Sequence, residues 1–182
     1  SPHKNGSSNL LAEQFARGAR EAGHEVSEFD AGHANLHPCM ACGHCGMNGP
    51  CVYQDDMTRA KELILQSDML VLVTPVYYFG MSAQLKTVID RFYSFTGHGS
   101  GKGFKAALIA AAWDSDDDVM PYIKAHYEKL CRYMHFQDCG TVLGTGCGRP
   151  DVTRESSFMR NAYALGKGLT ALSHSDESQT DE

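Results

Sequence analysis

The sequence predicts a three-layer α/β/α sandwich built on a parallel sheet. Two apolar runs and the rhythm of elements between them carry the prediction. Met69 to Val73 is a continuous apolar run without polar alternation, as expected of a strand covered on both faces. Lys105 to Trp113 repeats the pattern through Ala106, Ala107, Leu108 and Ile109. Between and around these runs, helical and strand patterns alternate, which is the signature of βαβ units.

Pro75 is expected to end the first run, because proline has no amide hydrogen for a ladder. A helix follows from Ser82, a good cap, with Leu85, Val88, Ile89 and Phe92 on one face. Ligands bind parallel sheets at the carboxyl ends of their strands. The loop from Pro75 to Gly80 is therefore the first candidate for ligand contact.

The chain of 182 residues, with a formal net charge of −6 and no basic cluster, suits one soluble domain and gives no footprint for nucleic acid. No apolar stretch reaches the roughly 20 residues that span a bilayer. Of seven cysteines, four fall between positions 39 and 51. Such crowding suits a metal or cluster site in a reducing compartment, and a cytoplasmic location is expected.

Ser1-Pro2-His3-Lys4-Asn5-Gly6-Ser7-Ser8 is a small-residue loop that feeds a helix carrying Leu10, Leu11, Phe15 and Ala19 inward, with Gly23 beyond its end. A helix N-terminus of this kind suits a phosphate, although composition favours simple capping by Ser7 or Ser8. His24 to Ala31 reads as a short strand with Val26 and Phe29 as its apolar members.

The cysteine-rich loop, residues 37–52, spaces Cys39, Cys42, Cys45 and Cys51 as C-x2-C-x2-C-x5-C, with Gly43, Gly46 and Gly49 between the thiols. Four thiolates suit an iron–sulfur cluster first, zinc second, and unligated thiols remain open. His37 and His44 read as solvated loop residues rather than further ligands. Asp55 and Asp56 open a helix that packs Leu63 and Ile64, together with Met57 and Ala60, inward. Helix-start electrostatics accounts for the two acids better than metal or acid–base work.

Thr96 to Gly103 reads as a flexible loop. The run from Asp114 to Asp118 caps a helix over about 119–136, with Tyr122, Ile123, Tyr127, Leu130 and Met134 on its apolar face. A short strand over 139–148 and a last helix over about 153–172 complete the domain, 1–172, and an acidic tail, 173–182, is expected to be disordered. Cys131, Cys139 and Cys147 read as packing residues.

Together these stretches resemble the NADPH-dependent FMN reductase and iron–sulfur flavoprotein family of the flavodoxin-like superfamily. The resemblance rests on the opening loop at 1–8, the cysteine loop, Cys51-Val52-Tyr53-Gln54-Asp55-Asp56-Met57, Pro75-Val76-Tyr77-Tyr78, and Gln84-Leu85-Lys86 with Asp90-Arg91. It covers residues 1 to about 170.

The resemblance implies a flavodoxin-like sandwich that binds FMN and uses NAD(P)H. Ser1, His3, Gly6, Ser7 and Ser8 would surround the FMN phosphate, with His3 where the family has arginine. Pro75, Val76, Tyr77, Tyr78 and Gly80 would pack on the isoalloxazine edge, with Trp113 and Asp114 as a third contact region. Cys39, Cys42, Cys45 and Cys51 would hold a [4Fe–4S] cluster as a one-electron relay. The flavin carries the redox chemistry, so no separate catalytic side chain is named.

The implied activity is hydride transfer from NAD(P)H to flavin and on to a quinone, a nitro or azo compound, flavin, or an electron carrier. The acceptor is a small molecule or a protein, and a homodimer or homotetramer is implied. The alternative function is a non-catalytic zinc-binding or redox-sensing module built on the cysteine loop. The family's first strand has no counterpart before Ser1 here, so a gap is expected between the second and third strands of its sheet.

Overall fold

The computed structural model describes residues 1–99, 103–116 and 118–169. The elements run α1 (Ser7–Glu21), α2 (Met57–Gln66), β1 (Met69–Tyr77), β2 (Gly80–Met81), α3 (Ala83–Asp90), a 3-10 turn (Arg91–Ser94), α4 (Thr96–Gly99), β3 (Lys105–Ala111), α5 (Pro121–Met134), β4 (Gln137–Gly144), α6 (Pro150–Glu155) and α7 (Ser157–Lys167). The sheet order is β2-β1-β3-β4. β1 pairs β3 in parallel from Met69 opposite Lys105 to Pro75 opposite Ala111, and β3 pairs β4 in parallel.

Both faces of the sheet are apolar, which explains the unbroken runs. Leu72, Ala106, Leu108 and Ala110 meet Met57 and Ala60 of α2, Val88 of α3, and Ile123 and Tyr127 of α5. Val71, Val73, Ile109, Ala111 and Val142 meet Leu11, Phe15 and Ala19 of α1 and Ala162 of α7 on the other face. That is the expected three-layer sandwich. α1 and α7 approach most closely at glycines. A Cβ on Gly18 would strike the Tyr163 carbonyl oxygen, and one on Gly166 would strike that of Phe15.

Several expectations need correcting. β1 does not stop at Pro75 but runs on to Tyr77 and folds back as an antiparallel hairpin, so the sheet is mixed. Pro75 is tolerated because, along Met69–Pro75, the edge facing away from β3 has no ladder partner among the described residues. The same open edge leaves Met69, Leu70, Val71 and Val73 only half-buried.

Residues 24–30 form no ladder, although Val26 packs on one core and Phe29 on the other. Among the described residues, the strand expected there has no adjacent strand to pair with. Tyr122 is 65% exposed rather than on the buried face of α5. The last helix is two, because Ser156 takes an extended backbone (φ −73°, ψ 154°) between α6 and α7. The expected loop at 96–103 contains the short α4, while residues 100–102 lie outside the described residues. The acidic tail from Ser173 lies outside them too.

Candidate functional site

Three segments meet the carboxyl ends of the parallel strands. The first is the β1–β2 hairpin, whose two-residue turn is Tyr78-Phe79, at φ 47° and 66°. Positive φ at both positions is the conformation that Asn-Gly normally fills, and bulky aromatics there carry backbone strain. The strain presents side chains to solvent: Tyr77 is 45%, Tyr78 101% and Phe79 51% exposed. Phe79 makes an edge contact with Tyr122 of α5 at 5.8 Å between ring centroids. Below the turn, the buried Thr74 hydroxyl donates to the Pro75 carbonyl (2.7 Å) and accepts from Ser82 N (2.9 Å), fixing where the hairpin leaves the sheet. Ser82 caps α3 as expected, its Oγ accepting from Leu85 N at 3.3 Å.

The second segment follows β3. Trp113 is 74% exposed and lies close to Gly148, where a Cβ would collide with the indole. Asp114 is exposed, and its carbonyl accepts from Gly146 N at 2.7 Å, which ties the loop after β3 to the loop after β4.

The third segment is the opening loop and the N-terminus of α1. Gly6 N donates to the His3 carbonyl (3.1 Å), and His3 N donates to Ser1 Oγ (3.2 Å). The Ser1 carbonyl rests against Gly32. No side chain caps α1, and no acid lies in its first turn. Ser8 is 1% exposed, and its Oγ has no hydrogen-bond partner. Uncapped amides beside an orphaned hydroxyl are the chemistry that receives a phosphate, so the capping role open to Ser7 and Ser8 is not the one they fill. Ser7 Oγ instead accepts from Thr153 Oγ1 of α6 at 2.8 Å. Thr153 was silent in the sequence, since a threonine 146 residues away carries no local pattern. His3 is exposed.

The cysteine loop stands apart from these. Cys39, Cys42, Cys45 and Cys51 line one solvent-open concavity with Met40, Tyr53 and Tyr93, and all are free thiols. Gly43 and Gly46, at φ 72° and 51°, let the backbone wrap it. Among the described residues, no three His, Cys, Asp or Glu side chains are grouped to share one metal ion. His44 is exposed.

Sequence reasoning missed what anchors this loop. Asp55 and Arg91 form an ion pair with side chains 1% and 2% exposed. Arg91 Nη1 donates to Asp55 Oδ2 (2.8 Å) and to the His37 carbonyl (2.8 Å), and Nη2 donates to Asp55 Oδ1 (3.1 Å). The carboxylate also accepts from His37 N (3.0 Å) and Met57 N (3.1 Å), and His37 Nδ1 lies 3.2 Å from Oδ2. Tyr53 stacks on His37 at 4.5 Å, and the Arg91 guanidinium lies 5.4 Å from the Tyr53 ring centre. Burial pushes the Asp55 pKa up, but these hydrogen bonds outweigh it and hold the group down at about 2. Asp55 is therefore a buried anchor more than a helix-start charge, while Asp56 accepts from Asn35 N at 2.7 Å.

The chain is similar to proteins of known kind. A family model described as NADPH-dependent FMN reductase matches residues 1–117. The chain belongs to that family. It is an oxidoreductase that uses FMN with NAD(P)H. An iron–sulfur flavoprotein of Archaeoglobus fulgidus is 32% identical over 172 residues, covering 93% of this chain and 75% of its own. The Bacillus subtilis protein YwqN, described as an NAD(P)H-dependent FMN-containing oxidoreductase, is 29% identical over 180 residues, covering 92% and 93%. The solved NAD(P)H:quinone oxidoreductase from Methanothermobacter marburgensis superposes with a TM-score of 0.73 at 19% identity over 96% of this chain and 94% of that one. At that identity the likeness is of fold, and the fold is flavodoxin-like. None of the described helices is long and apolar enough to cross a membrane.

Proposed function

We propose that the three segments at the carboxyl ends of the strands form the FMN site. The phosphate sits at the uncapped start of α1, held by amides and hydroxyls of Ser1, Gly6, Ser7 and Ser8 with His3 at its outer side. Pro75, Val76, Tyr77, Tyr78 and Gly80 contact the ring system, and Trp113 and Asp114 close a third side. The observation that carries this reading is the strained Tyr78-Phe79 turn. A fold that holds two aromatics at positive φ and exposes them is offering them to a ligand.

When bound, FMN supplies acceptance of hydride from NAD(P)H and delivery of reducing equivalents to an acceptor. The chain's own work is to seat the phosphate, to present flat apolar rings against which a planar partner stacks, and to aim backbone amides of the hairpin at the flavin edge. That surface suits a planar acceptor such as a quinone, a nitro or azo aromatic, or free flavin, with a protein electron carrier as the macromolecular option. Exposed aromatics of this extent also suit burial against a second copy in a homodimer or homotetramer. Residues 1–172 act as one domain in the cytoplasm.

The four cysteines suit a [4Fe–4S] cluster better than zinc. A cluster offers four irons that each take one thiolate, so its ligands stand further apart than four thiolates sharing one ion. The four cysteines that line one concavity supply that number of thiolates. A bound cluster would exchange single electrons with the flavin.

An ultraviolet–visible spectrum of anaerobically prepared protein, with iron and sulfide assays and NADPH oxidation on the same sample, tests the reading. Flavin bands with about four irons per chain support it whole. Flavin without iron removes the cluster and leaves the reductase. A protein that stays colourless after incubation with FMN overturns the site.

A further inference from the structure

Arg91 has a third face that the loop anchor does not use. Its Nη1 and Nη2 are taken by Asp55 and the His37 carbonyl, whereas Nε is buried and has no hydrogen-bond partner. An unpartnered donor on a buried guanidinium is costly, and such groups ordinarily find an acceptor. The residues that hold Arg91 are the two shoulders of the cysteine loop. His37 lies two positions before Cys39, and Tyr53 lies two positions after Cys51. Tyr93, two positions beyond Arg91, and Tyr53 both line the concavity shared by the four thiols. Burial pulls the Arg91 pKa down, but the hydrogen bonds and charge of Asp55 outweigh it and hold the group above its ordinary value. Arg91 also terminates α3, an eight-residue helix of about 12 Å that starts just beyond the aromatic hairpin.

We infer that Arg91 is an electrostatic positioning residue for the group held by Cys39, Cys42, Cys45 and Cys51, stabilising its more negative state through a fixed charge and a free Nε–H. The inference rests on the proposed cluster site. A reduced cluster carries one more negative charge than the oxidised one, so a neighbouring cation favours reduction and raises the midpoint potential. Asp55, bound to Nη1 and Nη2 of the guanidinium, tempers the effect. Arg91 and Asp55 are therefore opposed controls on one property, which a purely structural pair would not be.

The test is a potentiometric titration, followed by visible and electron paramagnetic resonance spectra, of wild type, Arg91→Gln, Arg91→Lys and Asp55→Asn after anaerobic reconstitution with iron and sulfide. Arg91→Gln is expected to shift the equilibrium tenfold or more toward the oxidised form, about 59 mV lower for one electron. Arg91→Lys falls between it and wild type, and Asp55→Asn moves the midpoint upward. Equal midpoints at equal iron content, or shifts of both charge variants in the same direction, overturn the inference. Should Arg91→Gln fail to fold, Asp55→Asn decides alone: a raised midpoint supports the inference, and an unmoved or lowered one overturns it.

The wild type separates this outcome from the parent reading. Where wild type takes zinc and no iron, the cluster reading fails, and zinc competition tests Arg91 instead. Tenfold weaker binding in Arg91→Gln, with none in Asp55→Asn, supports the inference, and equal affinities overturn it. A wild type that retains neither metal overturns both.

Discussion

Replacing Asp55 by asparagine removes the charge from a carboxylate 1% exposed and leaves Arg91, 2% exposed, without its counter-ion. Breaking one side of a buried pair costs about 3–5 kcal/mol, because the remaining charge stays desolvated. The pH-dependent share of that loss follows from the pKa, which drops from 3.8 to about 2 on folding. A depressed carboxyl contributes stability above its unfolded pKa and loses it as pH falls through the folded one. The contribution is then about 2 kcal/mol at pH 7, about 1 at pH 3, and largely lost by pH 2. The charged and titratable groups that meet the carboxylate are Arg91 and His37. Urea unfolding of wild type and Asp55→Asn at pH 7 and pH 3 measures this directly. The deficit of the variant should shrink by about 1 kcal/mol at the lower pH. A deficit under 1 kcal/mol at pH 7, or one that does not change with pH, refutes the account of Asp55 as an ionised buried anchor.

Three further outcomes are expected. Tyr78→Asn places in the turn a residue that accepts positive φ, so thermal unfolding should shift to higher temperature by the equivalent of about 1 kcal/mol, while FMN binding measured by fluorescence quenching weakens at least tenfold. Ser8→Ala removes a hydroxyl that has no partner without ligand, so the stability of the flavin-free protein should stay within about 0.5 kcal/mol while FMN affinity falls. Gly166→Ala drives a methyl group into the Phe15 carbonyl and should cost at least about 2 kcal/mol in urea unfolding, whether or not flavin is present.

What could be read in advance was what short-range pattern encodes. β1 and β3 announced themselves because both of their faces are covered, and Ser82 was legible as a cap because capping is chemistry within three residues. The hairpin was not legible, since Tyr78-Phe79 carries none of the Gly, Asn or Asp that signal such a turn, and only the surrounding fold imposes it. Residues 24–30 show the limit of alternation, which records which faces are apolar but not whether a neighbouring strand is there to pair. Tyr122 has the spacing of a core residue and points instead to Phe79. The break at Ser156 has no proline or glycine to mark it. In the proposed site, the loop at 1–8 and the aromatics at 77–78 could be nominated as candidates from local pattern. The Asp55–Arg91 pair and Thr153 could not, because each joins residues more than thirty positions apart.

The glycine contact between α1 and α7 has a dynamic consequence. α1 begins at the proposed phosphate site and is clasped along its length by a helix from the other end of the chain, with backbone meeting backbone at Gly18 and Gly166. Occupancy at the start of α1 lowers the population of states in which that helix is undocked, and α7 shares in the protection. Amide hydrogen exchange over residues 157–167 should therefore slow when FMN is added, making a helix at the far end of the sequence a reporter of flavin at its beginning.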